Sequence, residues 1–340
     1  MSAPVVNFPP VILRGDKYSG PLANAITRYL NVKRALGCRF NTEERSLRLF
    51  DRCLAEQGVT GIHQITSECV DRFLALRPRV EPRSFNQLLG CVRRLFEWMV
   101  NQDEIALSPV QTRARRETSR RLPYLFEPET LHELIRLAER LPDWSRCPHR
   151  GSTQAMIFAL LATLGMRIGE VARLTCADVD LERETLLIRN SKFGKSRLLP
   201  IGPRLAARLR AYLALREQRF GPARPDTPLF SWRGREPVHP NSIRRAFRDH
   251  LLPQLALTVA PGTARPCVHG LRHSFAVRSL LRWYRQGLDP AARLNHLSTF
   301  LGHVNPQSTA VYLTITSDLL QAANARFEAY AAPLCGEGRP

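Results

Sequence analysis

The chain lacks any apolar run approaching the roughly eighteen residues of a membrane-spanning helix. Its opening, MSAPVVNFPPVILRGDKYSG, lacks the charged start and apolar stretch of a secretory signal. Neither a membrane partner nor export is therefore expected. The eight cysteines, at positions 38, 53, 69, 91, 147, 176, 267 and 335, include no CxxC pair. Many fall on apolar stripes, as in LFDRCLAEQ, and read as reduced core thiols of a cytosolic protein. Cys147-Pro148-His149 offers half a metal site with no second half in view, so no metal is expected. Internal repeats and low-complexity tracts are missing too. Acid is scarce: 30 Asp and Glu face 50 Lys and Arg, a net charge of +20. An excess of that size calls for a polyanionic partner, most simply nucleic acid.

At 340 residues the chain exceeds one ordinary core, and two domains are expected. Residues 1–20 form an irregular lead. Apolar spacings of three and four predict helices over 21–37 (Leu22, Ile26, Tyr29, Leu30, Val32), 42–57 (Leu47, Leu49, Phe50, Leu54, stopped by Gly58), 66–76 and 83–101. The last carries Phe85, Leu88, Leu89, Val92, Leu95, Phe96 and Met99 on one face, with Arg83, Gln87 and Arg94 on the other. Residues 21–107 thus make an all-helical domain. A basic linker, 108–126, holds Arg113, Arg115, Arg116, Arg120 and Arg121, and too few apolar groups for a core. It reads as a tether, either solvated or laid along a phosphate backbone.

From 127 to 332 the pattern is mixed: helices at 128–141 and 151–164, then extended runs ADVDL, ETLLIRN and SRLLPIG. The last two flank a SKFGK turn in which Gly194 needs positive φ. Helices follow at about 203–217, 240–250, 270–285, 292–301, 306–313 and 317–331. The fold class expected is mainly α with a small antiparallel β-sheet (α+β).

Three segments carry chemistry. In LGMRIGEVARL, Gly165 breaks a helix and Arg167 follows at the bend, one turn from Glu170, partly buried and paired. In VHGLRHSFA, a helix starting near His269 puts His269 and Arg272 on one face. In HLSTFLGHVNPQSTAVY, Gly302 ends a helix, His303 follows, and Asn305-Pro306 opens the next, with Tyr312 two turns in. Any one of these is common by chance.

Together they resemble the catalytic domain of the tyrosine recombinases, the phage integrase and Xer-type family. The match rests on GMRxxE at 165–170, the hairpin lysine of KFGKSR at 192–197, HGLRH at 269–273, LGH at 301–303, and a tyrosine nine positions beyond that histidine. It covers roughly 125–331, and the helical part resembles the family's core-binding domain. STFLGHVNPQSTAVYL and KRALGCRFNTEERSL are similar to recombinases carried by mobile elements, including those encoded in trios.

The resemblance implies a catalytic set of Arg167, Lys192, His269, Arg272, His303 and Tyr312, with Glu170 in support. Tyr312 would attack a phosphodiester and form a 3′-phosphotyrosine. Arg167, Arg272 and His303 would hold the non-bridging oxygens, Lys192 would protonate the leaving oxygen, and His269 would accept the phenol proton. No metal or cofactor is implied. Lys195 competes with Lys192, the register of the turn deciding between them. His273 is expected to face away and serve structure. DNA contacts are expected from Arg83, Gln87, Arg94, Arg113, Arg115, Arg116, Arg244 and Arg245, with the two domains clamping duplex DNA. The partners implied are double-stranded DNA and a homotetramer on two sites, or a hetero-assembly with related recombinases, in the bacterial cytoplasm. The amphipathic segment 317–331 would dock on a neighbour. The alternatives are a type IB topoisomerase-like nicking-closing enzyme and a non-catalytic DNA-binding accessory of the same fold.

Overall fold

The computed structural model describes residues 20–314 except 39, 118–120, 146, 192–193, 304 and 306, together with 321. The segment 317–331 lies outside the described residues apart from 321. The chain divides into two compact units, Met1–Arg120 and Arg121–Pro340. The division falls inside the stretch expected to be a linker.

The first unit is built from α1 (Ala23–Ala35), α2 (Asn41–Glu56), α3 (Ser67–Ala75) and α4 (Pro82–Val100). Each expected helix is present to within two residues of its bounds. The α4 stripe is buried throughout, and Phe50 of α2 packs on Phe73 and Phe96, with ring centroids 4.9 and 6.0 Å away. Val32 departs from its expected place: α1 buries only Ala25, Ile26, Tyr29 and Leu30, and Val32 lies outside that narrow stripe. Asp51 is buried and accepts from the Gly20 and Leu22 amides at 2.9 and 2.8 Å, tying down the start of α1. The basic stretch is no free tether at its beginning. Asn86 exchanges two hydrogen bonds with the Arg115 backbone at 2.7 and 2.8 Å, and Arg93 donates to the Thr112 carbonyl at 2.5 Å.

The second unit is organised by α6 (Arg150–Leu164), whose apolar residues recur on every side because it is surrounded by α5 (Pro128–Glu139), α8 (Pro203–Phe220) and α10 (Val268–Arg285). Past α6 come the single turn α7 (Ile168–Val171) and a sheet of β1 (Val179–Asp180), β2 (Thr185–Ile188) and β3 (Arg197–Pro200). The sheet is antiparallel in the order β1-β2-β3, with Leu186 opposite Leu199 and Ile188 opposite Arg197. Gly194 has the expected positive φ, +72°. The helix expected over 240–250 is instead α9 (Pro240–Arg245) followed by a π-helical turn, Ala246–Leu251. Pro253, just beyond, has no amide hydrogen to continue the α-helical ladder. The unit ends with α11 (Leu294–Leu301), α12 (Gln307–Ala310) and a 3₁₀ turn, Val311–Thr314.

Of the cysteines, Cys53 and Cys91 are buried, but Cys38 and Cys267 are exposed, so the core-thiol expectation fails for those two. No described helix is long and apolar enough to cross a membrane.

Candidate active site

Successive elements of the second unit bring the site together: the end of α6, α7, the β2–β3 hairpin, the start of α10, the end of α11, α12 and the final 3₁₀ turn. Two glycines make the approach possible. Gly165 and Gly302 end α6 and α11 in left-handed conformations, with φ of +57° and +67°. A β-carbon on Gly165 would lie 2.5 Å from the Phe275 ring, and one on Gly302 would lie 2.7 Å from Arg197 Nη1.

The peptide carbonyls freed at those ends anchor the arginines. Arg272, 1% exposed, donates to Gly165 O and Leu301 O, each at 2.7 Å. Arg167 donates to Gly302 O at 2.8 Å and to Glu170 Oε1 at 2.8 Å. Two of the five donors on the Arg272 guanidinium are committed in this way.

Glu170 is the hub. Its side chain is 2% exposed and accepts from Arg167, the Ser191 hydroxyl at 2.6 Å, and both terminal nitrogens of Arg197 at 3.1 and 2.9 Å. Burial raises its pKa, but the Arg197 hydrogen bonds and charge, with Ser191 and the Arg167 amide, outweigh burial and hold it at about 2. Arg197 also donates through Nε to Phe300 O at 2.8 Å. Arg167 and Arg197 thus pair with one carboxylate whose charge Arg272 also feels, and the surplus positive charge has no counter-ion among the described residues of the site.

The histidines crowd the same place. The His303 pKa falls to about 4, by burial first and then by the charges of Arg272, Arg167, His269 and Arg197; its Nδ1 meets the Thr309 hydroxyl at 2.7 Å. His269, at the exposed mouth, is also lowered, by desolvation and then by Arg272 and Arg167. It borders an open cavity of about 410 Å³ lined also by Arg244 and Arg248. Tyr312 is 3% exposed, its ring among Ala276, Val277, Leu280, Leu297 and Leu301. Burial raises the phenol pKa, and the charges of Arg272 and Arg167 only partly oppose that.

Arg167, Glu170, His269, Arg272, His303 and Tyr312 therefore share one electrostatic neighbourhood. Lys192 lies outside the described residues. Lys195 is exposed, and its carbonyl accepts from the Ser191 amide at 2.8 Å, closing the hairpin. One expectation is overturned: His273 does not face away. Its Nδ1 lies 2.9 Å from the Tyr312 hydroxyl, because a residue four after His269 shares that face of α10. Ser191 and Arg197 were also missed as site residues. Arg197 carried a signal, since it lies two residues from buried Leu199 along β3, shares its face and so points inward.

Of the expected DNA contacts, Arg83, Gln87 and Arg94 lie exposed on α4, and Arg113 and Arg116 are exposed. Arg244 and Arg245 are exposed on α9, Arg244 donating to Asn241 at 2.7 Å. Arg115 is engaged within its own unit: its guanidinium lies 3.8 Å from the Phe85 ring centroid and donates to Arg79 O at 2.7 Å. No group of three or more His, Cys, Asp or Glu residues that could hold a metal ion occurs among the described residues.

A mainly helical fold with arginines and a buried tyrosine around an uncompensated positive pocket defines a class of DNA strand-transfer proteins. The chain belongs to the phage integrase family, which it matches over residues 126–318. It is 33% identical over 305 residues to "Putative integrase/recombinase y4rB" of Sinorhizobium fredii (strain NBRC 101917 / NGR234), covering 89% of this chain and 96% of that one. Tyrosine recombinase XerC of Bacillus subtilis (strain 168) is 27% identical over 280 residues, covering 81% and 85%. Among solved structures, the Tn1549 transposon integrase in complex with transposon right end DNA superposes with a TM-score of 0.60 at 17% identity, covering 90% of this chain and 99% of that one. The XerH site-specific recombinase bound to a palindromic difH substrate gives 0.61 at 18% identity, covering 85% and 79%.

Proposed function

We propose that the protein is a site-specific DNA recombinase that cuts and rejoins duplex DNA through Tyr312. The observation that carries this reading is the buried phenol in one charge cluster with Arg272, Arg167 and Arg197 and a single carboxylate, Glu170. That surplus suits one phosphodiester. In the cleavage step the Tyr312 oxygen bonds to phosphorus and the bond from phosphorus to the 5′-oxygen breaks. The phenol gives up its proton with His269 as the acceptor, and the leaving oxygen takes one from Lys192. The 3′-phosphotyrosine retains the phosphodiester's energy, so the reverse attack by a 5′-hydroxyl rejoins DNA without a nucleotide cofactor.

Charge grows on the non-bridging oxygens in the transition state. Arg167 and Arg272 meet it with planar donor pairs already fixed by backbone carbonyls, at no cost of reorganisation during reaction. With Thr309 donating to Nδ1, neutral His303 keeps an Nε2–H for the same oxygens. Four subunits on two sites would pass strands through a Holliday junction, with related recombinases as the alternative partners and the bacterial cytoplasm as the setting. The similar structures of the Tn1549 integrase with transposon right end DNA and of XerH with its difH substrate support the duplex as partner.

The test is a library of random-sequence duplexes, each nicked so that the cleaved fragment diffuses away and traps the covalent complex. Wild type should yield denaturation-resistant adducts. Tyr312→Phe should yield none while still binding the recovered duplexes. Adduct formation by Tyr312→Phe would remove Tyr312 as nucleophile, and the absence of any adduct from wild type would remove the enzymatic reading.

A further inference from the structure

The apolar wall around Tyr312 fixes where its ring lies, but not where its hydroxyl hydrogen points. Ala276, Val277, Leu280, Leu297 and Leu301 offer that oxygen nothing polar from their side chains. The orienting contact is His273: Nδ1 lies 2.9 Å from the hydroxyl, with ring centroids 5.5 Å apart and planes at 58°. His273 is itself held, edge-on to His269 at 4.6 Å and directly following the buried Arg272 in α10. Burial, then the neighbouring His269 and Arg272, push its pKa down to about 4, so the ring is neutral near neutral pH. A neutral ring with hydrogen on Nε2 accepts at Nδ1. The phenol then points its O–H at His273 and leaves the oxygen's lone pairs to phosphorus.

We propose that His273 is a positioning residue for the nucleophile: its Nδ1 orients the Tyr312 hydroxyl beside Arg272 before the phosphate is attacked. The proposal rests on Tyr312 being the nucleophile. It assigns His273 no proton transfer, only the direction of the attacking oxygen, and near-attack geometry is where an ångström of misplacement costs about a hundredfold in rate.

Three variants separate this from packing. His273→Asn keeps a polar atom near the position of Nδ1, His273→Gln moves it toward that of Nε2, and His273→Leu removes it. Single-turnover cleavage of a recovered nicked duplex at saturating protein should fall about a hundredfold in His273→Leu. His273→Asn should regain at least about tenfold of that and His273→Gln should not, with half-saturating DNA concentrations unchanged in all three. With 3-fluorotyrosine placed at position 312, the fluorine resonance of the DNA-free protein should match between wild type and His273→Asn and shift in His273→Leu. Wild-type or faster cleavage by His273→Leu would overturn the proposal, a faster rate marking His273 as a restraint. Equal losses in the Asn and Leu variants with lowered melting temperatures would overturn it in favour of packing. Tyr312→Phe runs beside them: an adduct there indicts the nucleophile, whereas a Tyr312-dependent adduct unaffected by His273→Leu indicts only His273.

Discussion

Among single side chains, Glu170 sets how much positive charge the site can hold. A buried carboxylate is costly alone, but here two arginines, a serine hydroxyl and a backbone amide satisfy it. Its folded pKa of about 2 lies below its ordinary 4.5, so its contribution to stability is full above about 4.5 and is lost as pH falls through 2. Glu170→Gln should therefore cost on the order of 3 kcal/mol in urea denaturation near neutral pH, the equivalent of that shift. The gap from wild type should close between pH 4.5 and 2. A gap constant across that window would show that Glu170 acts by shape alone. The family resemblance named Arg167, Glu170, His269, Arg272, His303 and Tyr312 as candidates, because its motifs are short runs in a fixed order along the chain. Ser191, Arg197 and His273 join through tertiary approach, in which no local spacing announces the partner. Even so, the inward register of Arg197 on β3 and the i+4 position of His273 were physical signals.

Helices and their ends were the most legible elements, since apolar periodicity and glycine stops act locally. The π-helical turn after α9 was not, because its cause, Pro253, acts on residues before it. Gly165 joins both kinds of information: a stop readable in the sequence, and a close approach that only the fold reveals. Its carbonyl accepts from Arg272 while its α-carbon faces Phe275. Gly165→Ala should combine left-handed backbone strain of about 1–2 kcal/mol with a clash against the Phe275 ring. Gly194→Ala has a similar positive φ but meets no atom of the described residues within 4 Å, so it should show the strain alone. Urea midpoints should drop by clearly more for Gly165→Ala than for Gly194→Ala, and cleavage should fall with the Gly165 variant as the Arg272 anchor shifts. Equal losses of stability would mean that the Phe275 contact relaxes freely.

Over the whole molecule, the charge of +20 was legible at once, but not how it is spent. Part is internal: Arg272, Arg167 and Arg197 are locked into carbonyls and Glu170, and Arg115 lies on Phe85. Part is exposed to a polyanion, as at Arg83 and Arg94 on α4. The two kinds separate by salt. Each phosphate neutralised by a cation releases condensed counter-ions, so the slope of log affinity against log salt reports contacts, at about 0.9 per phosphate on duplex DNA. If Arg83 and Arg94 reach phosphates, Arg83→Ala and Arg94→Ala should each flatten that slope by about 0.9 and weaken all sequences alike, measured by fluorescence anisotropy between about 50 and 200 mM salt. Arg115→Ala should instead lower the melting temperature of the protein and leave the slope nearly unchanged, because its guanidinium is already committed to a ring and a carbonyl. An unchanged slope for Arg83→Ala and Arg94→Ala would remove α4 from the DNA interface. A flattened slope for Arg115→Ala would show that DNA draws that arginine off Phe85, giving the start of the basic stretch the phosphate-tracking role its composition suggests.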